Sequence, residues 1–265
     1  MMPPRRILFP VDFSERCVGA AHVVRVTANR FQAEVLALHV APAPGDLEVD
    51  ALDKLVAEEL KGCHFVTRQV VIGDPATEIV RAAKSGAFDL IMMGTHGAGE
   101  FRRYLLGSVA AKVLHDSPCP VWTCVYLEKW PRFEQAHMEH LVCGVDFGAR
   151  SKQVLQCAVQ IAREFGARLT LVHSMPQLHS KALTCDYKKQ ATAAIIQQLS
   201  EVQGGAEAQA HIELLEGNAS GSLSEAADRL NSDLVVIGRT HDPVGKLGSN
   251  AYAIITHSPC PVLSI

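Results

Sequence analysis

Apolar residues fall in short runs, separated along the whole chain by longer amphipathic stretches. Ile7-Leu-Phe-Pro-Val11, Val35-Leu-Ala-Leu-His-Val40 and Leu90-Ile-Met-Met93 are strand-length and nearly uninterrupted. Runs of that kind suit strands buried on both faces, and helix-length segments between them suit crossover helices of a parallel sheet. The first half is predicted to carry strands near 6–11, 34–40, 65–72, 88–93 and 120–125, with helices near 15–31, 47–61, 76–86 and 108–116. In the second half, strands are predicted near 140–145, 168–173, 209–215, 233–237 and 261–265. Val154, Ala158, Ile161 and Phe165 recur at helical spacing on one face. Ser14 and Ser151 stand where helix caps are expected, Gly166 follows a helix end, and Ser-Pro follows each last helix.

The halves are copies of one unit. "PVDFSERC" at 10–17 matches "GVDFGARS" at 144–151, and "EVLALHV" at 34–40 matches "RLTLVHS" at 168–174. Asp12 therefore pairs with Asp146 and His39 with His173 in one register. Further along, Gly73 pairs with Gly217, Asp89 with Asp233 and Gly94 with Gly238, so the second copy has gained ten residues around its second helix. Near the ends, "GSVAAKVLHDSPCPVW" matches "GSNAYAIITHSPCPVL", and the register drops by three between Gly94 and Gly107. The charged, proline-containing stretch Glu128–His137 lacks strand periodicity, which predicts domains at 1–127 and 140–265 with a linker at 128–139.

Composition narrows the class. With 265 residues, 48% hydrophobic and 20% charged, the chain suits two globular domains, and each half can bury its own core. A formal charge of −3 argues against a general nucleic-acid or membrane-surface binder, since both need a basic face. The first residues lack a signal pattern and no long apolar run occurs, so a cytoplasmic protein is expected. Eight cysteines without a C-x-x-C pair are expected as free thiols, mostly buried.

Residues 94–108 fit G-x-x-G-x9-G-S after a strand and before a helix. Glycines there allow positive φ and close approach of a ligand, and the helix N-terminus favours an anion. Ser108 can bond a phosphate or cap the helix. Asp12, at the end of strand one, faces this loop if the strand order reverses between strands one and four. A carboxylate beside phosphates points to Mg²⁺ or to ribose hydroxyls.

Pro10-Val-Asp12, His39-Val40, Gly94-x-x-Gly97-x9-Gly107-Ser108 and Ser117-Pro-Cys-Pro120 together resemble the universal stress protein family, here as a tandem member. The resemblance implies two doubly wound, five-stranded parallel-sheet α/β domains of the adenine nucleotide α-hydrolase-like kind, and ATP binding where the glycine motif is intact. By position, it implies that Pro10, Val11, Asp12 and Ser14 wall the site, with Asp12 on ribose or metal, and that the Val40 backbone meets adenine. Gly94, Thr95, His96, Gly97, Gly107, Ser108 and Val109 would hold ribose and phosphates. Arg102 lies in the same span and can neutralise phosphate charge. The resemblance also implies an internal pseudo-dimer of the two domains through their last strands, which would bring Cys119 and Cys260 together, and leaves a homodimer open.

The second copy departs from this pattern. Twelve residues separate Gly94 from Gly107 but nine separate Gly238 from Gly248, and Gly97 is matched by His241. Three extended residues span about 10 Å, so the triphosphate cradle is expected to be missing there. His137-x-x-His140-x-x-Cys143 has zinc-ligand types, but it crosses into a strand where the spacing does not converge, and a structural role is expected. No serine elbow or Walker loop occurs. The expected function is an ATP- and Mg²⁺-binding stress sensor or regulator with at most slow hydrolysis; the alternative is a nucleotide-independent interaction module on the same fold.

Overall fold

The apolar runs of the first repeat form β1 (Arg6–Val11), β2 (Glu34–Ala41), β3 (Phe65–Ile72), β4 (Leu90–Gly94) and β5 (Val121–Cys124). Helices α1 (Glu15–Phe31), α2 (Val49–Glu59), α3 (Pro75–Ser85) and α4 (Ser108–Asp116) alternate with them. The second repeat forms β6 (His140–Gly144), α5 (Ser151–Phe165), β7 (Arg168–Met175), α6 (Lys181–Gln203), β8 (Ala210–Glu216), α7 (Ala219–Arg229), β9 (Leu234–Ile237), α8 (Ser249–His257) and β10 (Val262–Ser264). These elements come from a computed structural model that describes residues 3–95, 106–124, 138–177, 181–203, 210–239 and 248–265. The chain divides into two compact units, one for each repeat.

In the first unit the strand order is β3-β2-β1-β4-β5, and the second repeats it as β8-β7-β6-β9-β10. β1 pairs in parallel with both β2 and β4, as β6 does with β7 and β9. Each sheet is therefore doubly wound and reverses direction between its first and fourth strands. Right-handed crossovers on either side of that reversal place α1 and α2 on one face and α3 and α4 on the other. Phe9, Leu8, Leu90 and Ile91 are fully buried between these layers.

β1 follows β2 in register from Arg6 to Val11, but it follows β4 only at Ile7 and Leu8. Beyond Phe9 the strands part, where Pro10 has no N–H to donate to a neighbour. The opening lies at the carboxyl ends of the strands, where open α/β sheets hold their ligands.

Helix ends follow local chemistry. Ser14 caps α1, its side chain accepting from the Cys17 N–H at 3.2 Å, and Gly166 ends α5 at φ 66°. The expected cap at Ser151 is not formed: Arg150 holds the cap position, and Ser151 Oγ instead donates to Gln198 Oε1 on α6 at 3.0 Å. The extra length of the second repeat lies largely in α6, with 23 residues against 11 in α2.

A carboxylate at the foot of each fourth strand clips the first. Asp89 accepts the N–H groups of Arg5 and Arg6 at 2.9 and 3.0 Å, and Asp233 accepts those of Glu139 and His140 at 2.6 and 3.0 Å. Asp233 is only 6% exposed, whereas Asp89 is half-buried. Because the loss of a buried acceptor leaves its donors unsatisfied, Asp233→Ala is expected to cost about 3 kcal/mol and Asp89→Ala about half that, measured by urea unfolding.

His140 is buried, with Nε2 bonded to Thr170 Oγ1 at 2.8 Å. Burial, and then the nearby Arg168 charge, hold its imidazole below the usual histidine range. A depressed histidine stabilises the fold fully above the unfolded value of about 6.5, and that contribution is lost as pH falls through the folded value. His140→Gln is expected to remove part of the acid-side loss, measured as melting temperature between pH 7.5 and pH 5. His137 lies outside the described residues.

The eight cysteines are free; six are buried, Cys63 is half-buried and Cys185 is exposed.

Candidate functional site

Where β1 and β4 part, the first unit has a cleft of about 400 Å³, within the range of small-molecule sites. Its walls come from the ends of β1, β2 and β4 and from the first turns of α1, α3 and α4.

The β1 wall ends in a sharp turn. Phe13 takes φ 57°, a left-handed conformation that costs an aromatic residue roughly 1–3 kcal/mol. Ser14 restrains the turn by donating its N–H and hydroxyl to Asp12 Oδ1 at 3.1 and 2.7 Å. The Phe13 ring rests against His39, with centroids 4.7 Å apart. His39 stands opposite Val11 in the β1–β2 register and donates from Nδ1 to the Val11 carbonyl at 2.9 Å. Since a carbonyl only accepts, Nδ1 carries a proton. Asp12 is thereby left exposed at the cleft, while Ser14 does not line it and acts through Asp12.

The β4 wall carries the glycine loop. β4 ends at Gly94, and Thr95, 1% exposed, follows it. The Gly107 N–H donates to the Thr95 carbonyl at 2.9 Å, so the two ends of the loop meet. His96, Gly97 and Arg102 lie outside the described residues. Gly107 takes the cap position of α4 with φ −60°, so no left-handed glycine conformation is used there. Ser108 is the first helical residue, and no side chain caps α4, so its hydroxyl is not committed to the cap. The N–H groups of Ser108, Val109 and Ala110 belong to the first turn, which has no intrahelical acceptors, and all three residues line the cleft.

Between these walls lies an apolar slot made by Val11, Leu38, Val40, Ile79 and Met93. Met93 ends the apolar run of the predicted fourth strand and Ile79 falls in the helix predicted near 76–86; their place at the cleft comes from the reversal of strand order. Glu48 also lines the cleft; it falls within the helix predicted near 47–61 but stands just before α2, which begins at Val49. Cys17 lines it too, but burial and then the Asp12 charge push its thiol up to about 12, so it stands at the cleft as a neutral thiol at neutral pH. Among the described residues, no group of three or more His, Cys, Asp and Glu side chains could hold a metal ion. No helix among them is long and apolar enough to cross a membrane.

The second unit repeats the turn: Phe147 has φ 57° and stands 4.7 Å from His173, which donates from Nδ1 to Val145 at 2.7 Å. Asp146 Oδ1 accepts the Gly148 N–H at 2.8 Å. Buried Arg239 stands in the sequence place of Thr95, and Ser174, the counterpart of Val40, spends its hydroxyl on the Gly217 carbonyl at 2.7 Å.

Known proteins share this plan. A structure from Pseudomonas aeruginosa assigned as a universal stress protein superposes with a TM-score of 0.76 at 18% identity, covering 99% of this chain and 93% of its own. One from Archaeoglobus fulgidus gives 0.69 at 22%, covering 98% and 95%. A universal stress protein of Mycobacterium bovis is 22% identical over 275 residues, covering 92% of both chains. One from Methanocaldococcus jannaschii is 37% identical over 138 residues, covering 44% of this chain and 79% of its own. The sequence model of the universal stress protein family matches twice, at residues 3–124 and 138–265. With two matches in succession on two copies of one doubly wound sheet, the chain belongs to the universal stress protein family as a tandem member.

Proposed function

We propose that the first unit, residues 1–127, binds ATP with Mg²⁺ and that the protein serves in the cytoplasm as a nucleotide-responsive stress regulator. One observation carries this reading: a single cleft presents an apolar slot, an exposed carboxylate and a helix N-terminus in turn. A nucleotide has the matching sequence of a flat base, a hydroxylated sugar and an anionic tail.

The base lies in the slot against Val11 and Val40, with the Val40 backbone at its edge and Pro10 walling the turn. Asp12 meets ribose or the cation. Mg²⁺ is commonly held by one or two carboxylates together with substrate phosphates and water, so a lone Asp12 fits that role without a metal cluster. Phosphates meet the first turn of α4, with Ser108 and Val109, and the loop of Gly94, Thr95, His96 and Gly97; Arg102 adds positive charge. Mg²⁺, when bound, neutralises the phosphates.

Asp12 and Glu48 are the carboxylates at the cleft, and Ser14 already engages Asp12. With Asp12 already engaged by Ser14, turnover is expected to stay below about 1 s⁻¹, the low end of ordinary enzymes. Isothermal titration with ATP and Mg²⁺ is expected to give one equivalent per chain. Absence of binding at millimolar ATP would leave the interaction-module reading in its place.

A further inference from the structure

We propose that the second unit contains a nucleoside-sized site that Tyr187 holds shut. In the first unit the Phe13–His39 pair borders the open cleft. The second unit builds the same pair from Phe147 and His173, with the same left-handed turn and the same bond from the histidine Nδ1 to the end of the first strand. What differs is the occupant. His173 Nδ1 is held by the Val145 carbonyl, and its Nε2 is hydrogen-bonded to the Tyr187 hydroxyl at 3.0 Å. The two rings lie nearly parallel, at 16°, with centroids 6.1 Å apart.

Tyr187 comes from the early turns of α6, the helix in which the second repeat is longer. In the first unit the corresponding stretch between β2 and α2 carries Glu48, which borders the cleft. The longer helix thus brings a flat, hydrogen-bonding ring to the Nε2 edge of the histidine, whose counterpart in the first unit borders the open cleft. The loop three residues shorter is expected to lack the triphosphate cradle, so a ligand of the opened site is a nucleoside and not a nucleoside triphosphate.

The ligand class rests on the nucleotide reading of the first unit, and the test separates the two. Adenosine is titrated into chains whose first site is disabled by Asp12→Ala and Gly107→Val, with Tyr187 retained or replaced by Ser. Tyr187→Ser is expected to bind one equivalent at least tenfold more tightly than the chain retaining Tyr187; equal affinities would overturn the inference. Failure of the reading for the first unit appears elsewhere, as absence of Mg·ATP binding by the unaltered protein. Should Tyr187→Ser fail to fold, ¹⁵N-histidine NMR of the unaltered chain decides. The His173 Nε2 resonance is expected to be unmoved by adenosine; movement on adenosine binding would overturn the closure by Tyr187.

Discussion

Replacing Gly107 with Val is expected to weaken Mg·ATP binding about 100-fold while the first unit remains folded. Gly107 has φ −60° and ψ 147°, a backbone conformation open to any residue, so the substitution introduces no turn strain. Its cost to the helix cap is about 1 kcal/mol. A branched side chain at the cleft wall, however, holds phosphates away from the first turn of α4. Losing two charge-assisted bonds worth about 1.5 kcal/mol each amounts to about 3 kcal/mol, which is the stated factor. Calorimetric titration measures the affinity, and a melting curve without ligand checks the fold. An affinity within threefold of the unaltered protein would remove the α4 terminus from the site.

Phe9→Ala is expected to cost the first unit about 3–5 kcal/mol, the usual range for deleting a buried aromatic ring. Phe9 is fully buried on β1, the strand flanked by β2 and β4, and it carries the segment that ends in Asp12. The repeat supplies a control, because Cys143 holds the same place on β6 and is also fully buried. Burial drives the Cys143 thiol far above its ordinary range, so it behaves as a small neutral side chain. Cys143→Ala removes one heavy atom and is expected to cost about 1 kcal/mol, near the value of one methylene. Urea unfolding of both variants measures the contrast; equal costs would mean that the two cores do not share a register.

The strands were legible because both faces of each sheet are covered, which makes the runs Ile7–Val11, Val35–Val40 and Leu90–Met93 apolar without alternation. Repeat matching then placed Asp12 opposite Asp146 and located the shortened loop without any knowledge of the fold. Three features of the site escaped that reading. The left-handed turn falls on Phe13 and Phe147, residue types that give no sign of positive φ; it depends on long-range support from His39 and His173. Ser151 looks like Ser14 but bonds Gln198, because the long α6 runs beside α5 and offers a competing acceptor. Glu48, just before α2, and Ile79 of α3 reach the cleft only through the order of the strands, which local pattern does not encode. The glycine loop itself was legible as a motif, yet the structure changes its physics: at Gly107 the backbone is not left-handed, so positive φ is not what calls for glycine there.

Two copies of one sheet have thus diverged at their open ends. The first unit keeps a cleft beside Asp12 and the start of α4, and the second places Tyr187 over the equivalent histidine. A crystal structure of the unaltered chain grown with saturating ATP and Mg²⁺ tests this account most directly. It predicts nucleotide density in the first unit, with the base in the slot of Val11 and Val40 and the phosphates at Ser108, and Tyr187 still bonded to His173 in the second. An empty first cleft, or a nucleotide lying against His173, would contradict it.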